Sequence, residues 1–100
     1  MKIYFNMFTY MDKHLVIVSL SHMDSMQDLP KLKGNLQGSL VFMGDTKEEA
    51  LESIINSIKL RETICSDVNL KEMKDNEIYL LIDYLRKIIK DIKEKETNTV

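Results

Sequence analysis

The spacing of the apolar residues changes partway along this chain, and that change limits the fold more than any other feature. Up to residue 43 apolar side chains alternate with others or cluster in short β-branched runs; after residue 46 they recur every three or four positions. A period of two belongs to strands and one of 3.6 to helices. Residues 2–9 (KIYFNMFT) and 15–22 (LVIVSLSH) predict two strands, rich in aromatic and β-branched residues and free of Gly and Pro. SLVFM at 39–43 predicts a short third strand. Tyr10-Met11-Asp12-Lys13-His14 is short enough to close a hairpin, with Asp12 as the turn residue.

A turn centred on Asp12-Lys13 sets Phe5 against Leu20, Met7 against Val18 and Thr9 against Val16, on one face with Ile3. That face is almost wholly apolar, so it is expected to meet the core. The opposite face carries Tyr4, Asn6, Phe8 and Tyr10 with Ser21, Ser19, Ile17 and Leu15.

Residues 23–38 hold Asp28, Pro30, Gly34, Asn35 and Gly38 and read as a long loop. Thr46 followed by Glu49 then predicts a capping box, with Glu48 suited to the positive end of the helix dipole. Ala50, Leu51, Ile54, Ile55 and Ile58 form its apolar stripe, and the helix is expected to end at Leu60–Glu62. Residues 63–76 connect, with one helical turn at Leu70–Met73. A second helix is expected from Asp75 to Lys93–Lys95, with Ile78, Leu81, Ile82, Leu85, Ile88, Ile89 and Ile92 on its buried side. The order β-β-β-α-α predicts an α+β domain: a three-stranded antiparallel sheet with two helices packed on one face. At 100 residues the chain has the length of one domain, expected over 1–95, with 96–100 as a frayed tail.

The chemistry-bearing residues are sparse. His14 and His22 are the only histidines and lie about 25 Å apart along an extended strand, too far to share a metal ion. Cys65 is the only cysteine. It excludes an internal disulfide and suits a small buried apolar side chain in a reducing compartment. Asp24 and Asp28 stand in the loop without a partner that would mark them as acid and base. No glycine-rich turn leads into Lys-Ser/Thr, so no phosphate loop is present. The expectation is a protein without catalytic residues, metal or cofactor. Fourteen basic residues against sixteen acidic ones argue against wholesale nucleic-acid binding. Arg86, Lys87, Lys90 and Lys93 on the second helix are the one local exception. No apolar run reaches the ~18 residues of a membrane span, and the N-terminus lacks the apolar stretch of a secretory signal. The expected location is the cytoplasm.

The sheet face turned away from the helices carries the strongest functional signal. Tyr4, Phe8, Tyr10, Leu15 and Ile17 would project outward together, and large exposed apolar groups mark interaction sites. Met23 and Met26 in the loop add adaptable side chains. These seven residues are the expected partner-binding set, and the partner is another protein or a second copy of this chain.

The segment MGDTKEEALESIINSI (43–58) resembles the strand-to-helix junction of HicB-like antitoxins, where a GDT-x-EEAL stretch closes the third strand of a partial ferredoxin-like β-β-β-α unit. Asp28-Leu29-Pro30 is similar to that family's DLPG turn, with Lys31 in place of its glycine and about ten further residues before the strand. The resemblance spans about residues 2–60. Asp12-Lys13-His14 replaces the family's glycine-rich hairpin, and the C-terminal helix differs from its DNA-binding appendix. The resemblance implies a non-catalytic protein that masks a small toxin ribonuclease by contact. An immunity protein belongs to the same class; a phage or mobile-element inhibitor of a host defence system, a small enzyme using Asp24, Asp28 or a histidine, and a small nucleic-acid-binding regulator are the alternatives.

Overall fold

The computed structural model describes residues 3–20, 40–65 and 68–98. Three strands form one antiparallel sheet: β1 (Tyr4–Tyr10), β2 (Lys13–Ser19) and β3 (Leu40–Gly44), in the order β1-β2-β3. Helices α1 (Lys47–Lys59) and α2 (Asp75–Asn98) follow, with a short 3-10 turn at Leu70–Glu72 between them. This is the expected α+β architecture.

The strand faces agree with the sequence reading, but the register does not. Phe5 pairs with Val18, Met7 with Val16 and Thr9 with His14, two residues away from the expected partners. A shift of two keeps every side chain on its face; only an odd shift would exchange them. The cause is the turn. It holds only Met11 and Asp12, with Met11 at φ 49°, so Tyr10 and Lys13 still pair. The turn therefore falls on Met11-Asp12 rather than on Asp12-Lys13, and moving its centre by one residue moves every cross-strand partner by two.

Val16 and Val18 point to the helices, and Phe5, Leu20 and Phe42 pack around them. α1 lies at the centre of the core. Its Ala50, Leu51, Ile54, Ile55 and Ile58 are fully buried, a stripe wider than the ~100° of a helix with a single contact. One side of α1 meets β2 and β3 and the other meets α2. α2 contributes Ile78, Ile82, Leu85 and Ile89, and the connector adds Ile64, Cys65, Val68 and Leu70. The single cysteine is thus a buried core residue.

Both ends of α1 are capped by side chains or turns. Thr46 Oγ1 accepts from the Glu49 amide at 3.1 Å, and Glu49 Oε2 accepts from the Asp45 amide at 2.9 Å. The expected box is present, with its return bond one residue earlier than usual. At the other end Arg61 takes the left-handed conformation, φ 54°. The Arg61 amide donates to Ile58 O and the Glu62 amide to Ser57 O. These two bonds form a Schellman motif without glycine.

α2 exceeds its expected end. It runs through Asn98, so residues 96–98 are helical rather than a frayed tail. Glu94, Lys95 and Glu96 are good helix formers, and Asp91 stands four residues before Lys95.

Candidate functional site

The expected binding set is only partly exposed. On the face turned from the helices, Phe8, Leu15 and Met43 form one row and Asn6, Ile17 and Val41 the next. Tyr10 is well exposed and Tyr4 and Phe8 are half-buried. Leu15 and Ile17, expected to project outward, are buried at 7% and 1% exposure. They belong to the central strand, where Leu15 pairs with Phe8 and Met43, and Ile17 with Asn6 and Val41. Ser19 is buried as well, and Asn6 Nδ2 donates to Ile17 O and Ser19 Oγ, each at 3.0 Å. The middle of this face is therefore buried and hydrogen-bonded, and of the expected set only Tyr10 stands well exposed among the described residues.

Exposed apolar surface lies at its margins instead. Val41 and Met43 on the edge strand β3 are 55% and 61% exposed, beside Tyr10 and Met11 at the hairpin. The sequence reading omitted Val41 and Met43, although Phe42 facing the core already required its neighbours to face away. Met23, Met26, Asp24, Asp28 and His22 lie outside the described residues. A second exposed group, Tyr79, Leu80 and Tyr84, sits on the first half of α2, where the Tyr84 and Phe5 rings lie 6.0 Å apart.

The hairpin end of the sheet, the first turn of α1 and the last turns of α2 enclose a groove of about 570 Å³. Met7, Ile88 and Ile92 give it an apolar floor. Its polar lining comes from His14 on β2, Thr46, Lys47 and Glu48 at the start of α1, and Asp91, Lys95 and Glu96 on α2. Two polar atoms of these residues, His14 Nδ1 and Glu48 Oε1, are shielded from solvent and have no hydrogen-bond partner among the described residues. Such atoms are uncommon in folded proteins. A hydrogen bond with its own backbone amide holds the Glu48 carboxyl below the usual carboxylate range. Partial burial opposes this, while the Thr46 hydroxyl, the Glu96 carboxyl and the Lys93 charge reinforce it.

Outside the groove Lys13 pairs with Asp45, tying the hairpin to the strand-to-helix corner. Their mutual hydrogen bond, then their opposite charges, raise the Lys13 pKa and lower that of Asp45. Among the described residues no group of three or more His, Cys, Asp or Glu side chains is placed to hold a metal ion. No described helix is long and apolar enough to cross a membrane.

On α2, Arg86, Lys87, Lys90 and Lys93 are all exposed. Asp83, Lys87, Asp91 and Lys95 follow one another at four-residue steps, and Lys90 precedes Glu94 by four. Lys87 is therefore flanked by Asp83 and Asp91 and Lys90 by Glu94, while Arg86, Lys90 and Lys93 share one helix face at i, i+4 and i+7.

Comparison with family models, curated proteins and solved structures gave no match to this chain.

Proposed function

We propose that this protein is a non-catalytic, protein-binding inhibitor of the antitoxin or immunity type. The observation that carries this reading is the apolar margin of the outer sheet face. Val41 and Met43 project from an edge strand and Tyr10 and Met11 from the hairpin, all more than half exposed. An edge strand with outward apolar side chains can seat a partner by side-chain burial and by strand pairing. The resemblance of residues 43–58 to the HicB-like junction points the same way, with a toxin as partner. A host defence enzyme as the partner, with a phage or mobile element as the source, would use the same surface. The nucleic-acid reading is disfavoured by the net charge of −2 and by Asp83, Asp91 and Glu94 beside the basic residues of α2, which offset their attraction for a phosphate backbone.

Capture of a partner from the native host by the wild-type chain and by Met43→Asp tests the proposal. Wild type is expected to retain one protein in stoichiometric amount, and Met43→Asp to lose it while melting at an unchanged temperature, since Met43 is outside the core. Equal capture by both chains would remove the edge strand from the interface. Mass measurement of the isolated chain distinguishes a homodimer, which Met43→Asp would dissociate.

A further inference from the structure

We infer that the outer edge of β1, beneath α2, seats a fourth strand supplied by an extended segment of a partner protein. The inference rests on the protein-binding reading but concerns the opposite edge of the sheet from Val41 and Met43. It starts from the widths of the two layers. Strands lie about 4.8 Å apart and packed helices about 8–10 Å apart, so one helix covers two strands. α1 packs on β2 and β3, and α2 packs on α1. The axis of α2 therefore falls about half a strand spacing beyond β1. The contacts of α2 agree with that position: the Tyr84 ring meets Phe5, and Ile88 and Ile92 line one groove with Met7. Two helices cover four strands, and the described sheet has three.

The overhanging side of α2 is apolar. Leu80, Tyr84, Ile88 and Ile92 follow one another at four-residue steps and form one ridge. Leu80 and Tyr84 are more than half exposed, and Met7 on β1 is 41% exposed on the side facing the helices. β1 pairs with β2 over seven consecutive residues without a bulge, and it holds no proline, glycine or charged residue. Bulges, prolines and charges are the devices that ordinarily guard a sheet edge against strand addition. No charged side chain stands on β1 or on the ridge, so the segment that fits is uncharged, with apolar side chains at alternate positions turned to α2. A second copy of this chain fits poorly. A strip about 24 Å long and about 10 Å wide falls far below the about 800 Å² per partner of a stable dimer. The α2 of a second copy would also claim the space that this α2 overhangs, whereas a lone strand brings no helix to that side.

Titration of the full chain with the blocked peptide Ac-KTVTVTVK-amide, followed by amide NMR, tests the inference without any partner. Saturable shifts are expected at residues 7–10 of β1 and 80–92 of α2. The isomer Ac-KTTTVVVK-amide has the same composition without the alternation and should bind about tenfold or more weakly. Met7→Lys is expected to lose the peptide at an unchanged melting temperature, and Leu80→Lys, on open surface, to weaken it should Met7→Lys fail to fold. Met43→Asp, on the opposite edge, should bind the peptide as wild type does. No saturable shift, shifts at residues 40–44 instead, or equal binding of the two peptides would overturn the inference. A dimer of the free chain that Met7→Lys dissociates would place a second copy on this edge and overturn it as well. Because the peptide replaces the partner, failure here leaves the capture experiment with Met43→Asp standing as the separate test of protein binding.

Discussion

Gly44 ends β3 one residue before the corner into α1, and its lack of a side chain is a packing requirement. A Cβ built there would lie 2.7 Å from the Ala50 amide nitrogen, 2.8 Å from Glu49 Cβ and 2.9 Å from the Thr46 carbonyl oxygen. Two of those three atoms are backbone, so no side-chain rotation relieves the contact. Gly44→Ala is expected to destabilise the fold by about 1–3 kcal/mol, the usual range for overpacking, as read by urea denaturation. An unchanged midpoint would show that the corner can open freely. The sequence suggested a helix start at Gly-Asp-Thr but gave no reason for the glycine, since the reason is the return of the helix backbone across the strand end. Thr46 and Glu49 were legible because a capping box is local. His14 and Glu48 were legible only as a turn histidine and a dipole-matched carboxylate. Their common groove depends on α2, more than forty residues further along the chain than Glu48 at its far end.

Besides its buried Ile64, Cys65, Val68 and Leu70, the connection between α1 and α2 is braced by the Arg61 side chain. Arg61 Nη1 donates to Leu70 O at 2.7 Å and Met73 O at 2.8 Å, and Nη2 reaches Asp75 Oδ1 at 2.5 Å. The same residue closes the Schellman motif in a left-handed conformation that a non-glycine residue adopts at a cost of about 1 kcal/mol. Its guanidinium contacts offset that cost by fixing the 3-10 turn and the start of α2 against the end of α1. Arg61→Ala keeps the backbone cost and loses the contacts, so a loss of about 1–3 kcal/mol is expected. Arg61→Lys should recover little of it, because an ammonium cannot span two carbonyls and a carboxylate together. A lysine variant as stable as wild type would reduce the role of Arg61 to charge alone. The helices themselves were legible from their apolar spacing, as was the length of the connector. The brace was not, since its acceptors are mostly backbone carbonyls and carry no sequence signature. The hairpin shows the same division. Alternation assigned each face, but register depended on whether Met11 would accept a positive φ, which no residue pattern in the turn announced.

Across the whole molecule, the face packed on the helices was legible and the opposite face only in outline. Val16 and Val18 meet an apolar layer that the sequence supplies in plain periodicity. Leu15 and Ile17 have the same composition on the other face, and alternation alone cannot separate a buried outer strip from an exposed one. The polar contacts joining the sheet end to α1 give the whole fold a pH dependence with a definite sign. Asp45 titrates below its ordinary value of 3.8, first through its hydrogen bond with Lys13 and then through the lysine's charge. Glu48 titrates below 4.5, chiefly through the hydrogen bond with its own backbone amide. Both carboxyls are more acidic folded than unfolded. The stability they contribute is complete above those ordinary values and is lost as pH falls through the depressed ones. Lys13 is shifted the other way, raised from 10.5 mainly by its hydrogen bond to Asp45. Its contribution is complete below 10.5 and is lost as pH rises through the raised value. Melting temperature is therefore expected to decline below about pH 5 and again at strongly alkaline pH. Asp45→Asn should lie slightly below wild type at neutral pH and converge with it as pH falls through the depressed Asp45 value, where the wild-type carboxyl is itself protonated. Lys13 and Asp45 are both exposed, so high salt should narrow the neutral-pH gap. A gap between the two chains that stays constant from acid to neutral pH would mean that Asp45 acts through something other than its charge.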